Sequence, residues 1–234
     1  MLERIDKIFS SSEILTRSQC SEAVKRGRIT VNSQVVKSPS IKVDKDKDEI
    51  LLDGKKCDFT KFVYIMLNKP SGVVSATEDG NFKTVIDILP KEFLRRDLFP
   101  CGRLDKDTLG LVIITNDGKS AHRRLAPKNH AEKVYFFEVA EIVSKSDIEK
   151  IENGVLLKDG YITKPCKLKL LTEKSGEITL TEGKYHEIKR IFGSLSNKIT
   201  YLKRISFAGI ELDKNLGYGE CRYLTKEEIE LFTN

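Results

Sequence analysis

The sequence predicts an α+β chain in two parts: a small helix-pair-and-hairpin domain over residues 1–58, then a larger domain over 59–234 on a mostly antiparallel mixed sheet. Three observations carry this. At 234 residues the chain exceeds the roughly 150 expected of one domain. Its N-terminal part joins two short helical patterns to turn-centred hairpins. Beyond residue 59, strand-like runs outnumber helices in no regular alternation, which favours an α+β arrangement over a parallel one.

Leu2, Ile5, Ile8 and Phe9 recur at helical spacing, with Arg4 and Lys7 on the polar side. Thr16 followed by Gln19 fits a capping box, and it opens a second helix through Ala23 and Val24 that stops at Gly27. Strands 29–31 and 34–36 flank Asn32-Ser33, a two-residue turn, and a second hairpin is expected around Asp53-Gly54. Residues 55–61 are polar and aperiodic, and serve as the linker. A continuous apolar run at 62–67 suits a buried strand, ended by Asn68-Lys69-Pro70-Ser71-Gly72. Further strands are expected at 109–115, 134–140, 168–171, 177–181 and 199–212. Helices are expected after Ser146 with Glu149 completing its cap, at 185–195, and after Thr225 with Glu228.

Hydrophobic residues make up 39% and charged residues 32% of the chain, enough apolar content for a core and too much for a disordered tail. The charged start is unlike a signal peptide, and no apolar run approaches the roughly 18 residues of a membrane span. A soluble cytoplasmic protein is expected. Cys20, Cys57, Cys101, Cys166 and Cys221 show no metal-ligand spacing and read as reduced thiols. The net charge is +6, of which the first 58 residues supply 12 basic against 10 acidic groups. The local excess is Arg17, Lys25, Arg26 and Arg28 against Glu22. By composition alone this is a solvated helix face. With no Trp and 8% aromatics, recognition of a nucleic acid would rest on shape and phosphate contacts.

Two stretches offer chemistry. Gly102-Arg103-Leu104-Asp105-Lys106-Asp107 precedes the apolar strand and would present a carboxylate at a cleft rim, with Arg103 holding it or binding phosphate. By spacing alone, ordinary turn residues and a surface ion pair are the plainer reading. Glu182-Gly183-Lys184-Tyr185-His186-Glu187-Ile188-Lys189-Arg190 places amides and fixed positive charge where a strand meets a helix, an anion site or simply a basic surface helix. Three histidines, no G-x-S-x-G elbow, no P-loop and no clustered ligands leave triad, nucleotide and metal chemistry without support. A single carboxylate with basic neighbours remains.

The helix pair ending in Lys25-Arg26-Gly27-Arg28 and running into a hairpin resembles the S4 RNA-binding module, over about residues 2–52. The ordered set Leu67-Asn-Lys-Pro-x-Gly72, Arg103-Leu-Asp-Lys-Asp-Thr-Leu-Gly-Leu111, Thr115-Asn-Asp-Gly118 and Glu182-Gly-Lys-Tyr-His-Glu-Ile-Lys-Arg190 resembles the RsuA group of pseudouridine synthases. His122-Arg123, Pro127-x-x-His130 and Glu132-Lys133-x-Tyr135 extend the match, which covers essentially the whole chain.

The resemblance implies an isomerase that detaches uracil from its ribose, turns it and rejoins it through C5, with no cofactor and no metal. It makes Asp105 the essential carboxylate, acting on ribose C1′ or on uracil C6. Tyr135 would stack on the base near its C5 proton. Lys189 would pair with the carboxylate, which favours its charged form in a dry pocket. Leu180 would line the uracil pocket and Arg103 lie near the flipped nucleotide, with Lys69 and Arg190 as further substrate-binding candidates. Arg17, Lys25, Arg26 and Arg28 would lie against the RNA backbone. Glu187 stands where many relatives carry Gln. The implied partner of this monomer is ribosomal RNA, free or in an assembling small-subunit particle, and the implied target is uridine 516 of 16S rRNA. Two alternatives stand beside it: a sister enzyme acting on large-subunit 23S rRNA, and a non-catalytic S4-type assembly factor.

Overall fold

The computed structural model describes residues 2–12, 14–57, 59, 62–94, 97–126, 129 and 131–234. Its contacts divide the chain into two units, Met1–Phe62 and Val63–Asn234. The division falls later than residue 58. Lys55–Lys56 is a strand on Ile50–Leu52 and not linker, and Phe59 packs edge-on against Phe9 in the first core, with ring centroids 5.1 Å apart.

In the first unit, β1 (Glu3–Arg4) leads directly into α1 (Ile5–Ser11), and α2 spans Arg17–Lys25. Thr16 caps α2 as expected, accepting from the Gln19 amide while the Gln19 side chain accepts from Thr16 N–H. The short strands β2 (Ile29–Val31), β3 (Gln34–Val35), β4 (Lys42–Val43), β5 (Ile50–Leu52) and β6 (Lys55–Lys56) follow. Four of them form a sheet in the order β3-β2-β5-β6, while β4 pairs with β1. Asn32 and Ser33 take the positive φ that a two-residue hairpin turn requires. Ile5, Ile8 and Phe9 of α1 meet Cys20, Ala23 and Val24 of α2 over Ile29 and Ile50.

The second unit contains β7 (Tyr64–Lys69), β8 (Phe99–Cys101), β9 (Leu109–Thr115), α3 (Gly118–Leu125), β10 (Lys133–Val139), α4 (Lys145–Asn153), β11 (Lys167–Thr172), β12 (Ser175–Leu180), α5 (Glu187–Ser194), β13 (Ile199–Phe207), β14 (Ile210–Glu211), β15 (Cys221–Tyr223) and α6 (Lys226–Thr233). One sheet runs in the order β11-β12-β10-β13-β9-β7-β15, with β14 on β13 and β8 on β9. Every strand pairing in this sheet is antiparallel except β13 with β9, which is parallel and spans only Lys203↔Leu109 and Arg204↔Gly110. That short joint separates two cores. Phe137, Ile151, Ile178, Ile191 and Phe192 fill one, between the sheet and helices α4 and α5. Ile65, Leu67, Val85, Val112 and Ile114 fill the other, and Tyr135 packs against both.

Several elements differ from the sequence reading. The expected strand 199–212 breaks at Ala208-Gly209 into β13 and β14. The cap of α4 is Ser144 with Asp147, two residues before the expected pair. Helix α3, opened by Asp117 accepting from the Lys119 and Ser120 amides, lay hidden in a polar segment. All five cysteines are free thiols, and among the described residues no helix is long and apolar enough to cross a membrane.

Candidate active site

Residues 102–108 join β8 to β9 and carry Arg103, Asp105 and Asp107. The segment after β7 holds this loop by its backbone. Lys69 is fully buried, and its Nζ donates to the carbonyls of Pro70 at 3.1 Å, Lys106 at 3.0 Å and Thr108 at 2.7 Å. Gly72 N–H also donates to Lys106 O, at 2.9 Å. Ser75 Oγ accepts from Leu104 N–H at 3.0 Å and donates to Leu104 O at 3.2 Å. Burial pulls the Lys69 ammonium down to about 8. Lys69, expected at the substrate, does not line the cavity: an ammonium has three N–H groups, and the Pro70, Lys106 and Thr108 carbonyls take all three.

The opposing cation comes from the turn into α5. His186 occupies the left-handed region at φ 49°, ψ 34° and ends the turn, so α5 starts at Glu187. One helical turn in, Lys189 Nζ lies 3.0 Å from Asp105 Oδ2 and 2.6 Å from Asp107 Oδ1. His186 Nε2 is 3.5 Å from Asp105 Oδ1. Burial pulls the Lys189 ammonium down, but its bonds to Asp107 and Asp105 outweigh that and raise it overall. Arg190 pairs instead with Asp159, donates to Tyr185 O at 3.4 Å, and does not line the cavity. Successive helix residues project about 100° apart, and Arg190 is the first of the α5 residues after Lys189 to turn out of the cavity wall.

Between loop and helix lies a cavity of about 590 Å³ whose wall includes Arg103, Asp105, Tyr135, Leu180, Lys189 and Arg204. Leu180, at the end of β12, is 2% exposed. Burial pushes the Tyr135 hydroxyl up, while the Arg204 guanidinium beside it pulls the other way. Arg103 is exposed at the wall and has no hydrogen-bond or ion-pair partner among the described residues. Five of the seven expected active-site residues therefore line one cavity, while Lys69 and Arg190 lie outside its wall. Pro127 and His130 lie outside the described residues. In the first unit, Arg17, Lys25, Arg26 and Arg28 are all exposed. Arg26 pairs with Glu22 at 2.8 Å, and Arg28 makes a bidentate contact with Asp53 at 2.7 and 2.5 Å. Such surface pairs are worth little and yield readily to a phosphate.

The wall also holds charges that the sequence reading did not assign. Arg204 is 1% exposed; its signal was parity, since it shares the face of β13 that buries Leu202. Glu187 is 5% exposed and accepts from Lys184 N–H at 2.8 Å through Oε2, while Oε1 has no donor. Burial and the neighbouring Glu182 push its carboxyl up to about 8. Burial pushes Glu182 up as well, but hydrogen bonds from the Glu187 carboxyl, Lys164 N–H at 2.9 Å and Tyr161 O–H at 2.7 Å outweigh it and hold Glu182 low. The two carboxyls thus share one proton, carried by Glu187. Among the described residues, no group of three or more His, Cys, Asp or Glu side chains is placed to hold a metal ion.

The family model for RNA pseudouridylate synthase matches residues 63–194, and that for the S4 domain residues 3–50. The RNA pseudouridine synthase YtzG of Bacillus subtilis is 42% identical over 232 residues, covering 97% of each chain. Ribosomal small subunit pseudouridine synthase A of Haemophilus influenzae is 37% identical over 229 residues, covering 97% of this chain and 98% of its own. A crystal structure of a pseudouridylate synthase matches with a TM-score of 0.70 at 36% identity, over 98% of this chain and 99% of that one. Together with the Asp105–Lys189 pair and Tyr135 on one cavity, these matches show that the chain belongs to the RNA pseudouridylate synthase family and carries an S4 domain at its N-terminus.

Proposed function

We propose that this enzyme isomerises a uridine of small-subunit 16S rRNA, uridine 516, using Asp105 as its essential carboxylate. The observation that carries the reading is the Asp105–Lys189 pair, at 3.0 Å, on a cavity whose other walls are Tyr135 and Leu180. The cavity's size falls within the roughly 300–1,000 Å³ usual for small-molecule pockets, and its interior suits a single extruded nucleotide. Extrusion costs a few kcal/mol, which contacts to the flanking backbone from Arg103 offset. Asp105 acts at ribose C1′ or at uracil C6. The N1–C1′ bond breaks with its electron pair going to the base, the base turns, and C5 bonds to C1′. The C5 proton then passes to the Tyr135 oxygen. Leu180 packs against the base throughout and keeps water from the detached ring. Arg17, Lys25, Arg26 and Arg28 grip RNA phosphates from the S4 domain, and the enzyme works as a monomer in the cytoplasm without cofactor.

The test is to incubate the protein with 16S and 23S rRNA and with small-subunit particles at successive stages of assembly. Pseudouridines are then mapped by carbodiimide adduct stops. A new stop at the 16S site with the parent, and none with Asp105→Asn, is the expected result. No stop on any substrate, or an Asp105→Asn variant as active as the parent, overturns the enzyme reading. A stop on 23S rRNA alone overturns the target.

A further inference from the structure

One charged side chain of the cavity has no part in the scheme above. Arg204 is 1% exposed, and its Nε donates to Leu111 O at 2.7 Å. Its Nη2 is buried without a hydrogen-bond partner, and no carboxylate pairs with it among the described residues. A guanidinium does not shed its proton, and a buried charge without a counter-ion is costly. A fold retains such a group where an anion forms during function.

Strand register identifies the oxygen concerned. Tyr135 and Arg204 are Cα partners across the antiparallel pair β10–β13, so their side chains stand on the same face of the sheet. Both line the cavity. The register shifts between Val134 and Tyr135, an irregularity of the kind that re-aims a side chain. The guanidinium has little freedom to withdraw. Its Nε is tied to β9, and its Cζ sits 5.0 Å from the Phe207 ring centroid. Gly110 lets β9 approach so closely that any side chain there would overlap the Arg204 carbonyl.

We propose that Arg204 is a positioning residue for Tyr135, holding the phenol oxygen toward the base and balancing the negative charge it bears before it takes up the C5 proton. This rests on the reading of Tyr135 as the proton acceptor. The phenol first gives its own proton to solvent. Then the C5–H bond breaks, its electron pair restores the C5–C6 double bond, and the C6–N1 π pair returns to N1, which takes a proton from solvent. An O–H bond forms on Tyr135, and the phenolate charge disappears. The surroundings otherwise oppose a phenolate. Burial pushes the hydroxyl up, and Glu187 on α5 and Asp105 on its loop push the same way. Lys133 lies on the same strand, with its own ammonium pulled down by burial and by Arg204. Arg204 is the neighbour that pulls the Tyr135 hydroxyl down.

The experiment measures pseudouridine formation against pH at saturating rRNA for the parent, Arg204→Lys, Arg204→Met, Tyr135→Phe and the Arg204→Met/Tyr135→Phe double variant. Arg204→Met is expected to lose about tenfold or more at neutral pH, with the rising limb of its profile moved about a pH unit upward and its KM little changed. Arg204→Lys, which keeps the charge, is expected to restore the limb to the parent's position. The double variant is expected to lose no more than Tyr135→Phe alone, because residues acting as one unit are not additive. Arg204→Gln supplies the same neutral comparison should the methionine variant not fold. An unshifted limb in the neutral variant, equal losses for Lys and Met, or additive losses in the double variant overturns the proposal. If the parent forms no pseudouridine, the functional reading fails instead. If Tyr135→Phe matches the parent, the role of Tyr135 fails.

Discussion

Replacing Glu187 with Gln tests the shared proton at the cavity wall. The parent carboxyl is held neutral up to about 8, against 4.5 in an exposed glutamate, by burial first and by Glu182 second. Its folded state therefore binds a proton that the unfolded chain has released. The resulting stabilisation is complete below about 4.5 and is lost as the pH rises through about 8. At about 1.4 kcal/mol per pH unit, the ceiling is ~5 kcal/mol. Glu182, held low, contributes alike at pH 5 and pH 9, so the roughly three pH units from pH 5 to about 8 leave a difference on the order of 4 kcal/mol. Gln has nearly the same shape, accepts from Lys184 N–H through its carbonyl, and donates to Glu182 through its amide at every pH. Urea unfolding at pH 5 and at pH 9 reads the difference. Parent and variant are expected to be nearly equal at pH 5, with the variant ahead by ~4 kcal/mol at pH 9. Parallel stability curves for the two proteins across that range would refute a shared proton.

Three further outcomes follow from the placements above. Lys69→Met removes three N–H donors from buried carbonyls and is expected to destabilise the fold by about 3 kcal/mol. It should lower kcat while leaving KM for RNA nearly unchanged; a raised KM with kcat intact would return Lys69 to the substrate. Gly110→Ala sets a Cβ against the Arg204 carbonyl at a φ of +98° and is expected to cost about 3 kcal/mol or more in thermal unfolding. Gly118→Ala, with nothing within 4 Å of its Cβ, serves as the neutral control. Replacing Arg26 and Arg28 with Ser should weaken RNA binding and reduce the slope of log affinity against log salt by about 1 per lost phosphate contact; equal slopes would take this face away from the RNA.

What the sequence made legible was local. Thr16 with Gln19 and Thr225 with Glu228 cap their helices as read, because a capping box is written in four consecutive residues. The strand at Leu109–Thr115 is buried on both faces, and its unbroken apolar run said so. Where two local signals overlapped, the choice lay outside the window. Ser144 with Asp147 and Ser146 with Glu149 both fit a box, and Ser144 wins in a helix that buries Ile151 beside Val143. Helix α3 offered few apolar residues to give it a period. Its Arg123 and Arg124 are spent on the terminal carbonyls of α6, with Arg123 Nη1 donating to Thr233 O at 2.6 Å and Arg124 Nε to Phe232 O at 2.8 Å. The motifs marked Asp105, Lys189, Tyr135 and Leu180 as functional. They did not distinguish a residue that lines the cavity from one that lies behind its wall, which is why Lys69 and Arg190 carry the same motif signal as the other five.

The short parallel joint between β9 and β13 explains why the site lies where it does. Asp105 belongs to the half-sheet of β7, β8, β9 and β15, where Lys69, Gly72 and Ser75 hold its loop. Tyr135, Leu180 and Lys189 belong to the half built on β10, β12 and α5, with its own core. Each half is well packed, while the joint has only two paired residues on each strand. The distance from the Asp105 carboxylate to the Tyr135 ring is therefore set across a seam of only two paired residues on each strand. Three features fix it: Gly110 against the Arg204 backbone, Tyr135 packed into both cores, and the Asp105–Lys189 ion pair. A change at any of them should alter the alignment of the two halves before it alters either half. Such variants should thus keep RNA binding while losing more turnover than their loss of stability accounts for, the pattern expected when reacting groups are displaced by a fraction of an ångström.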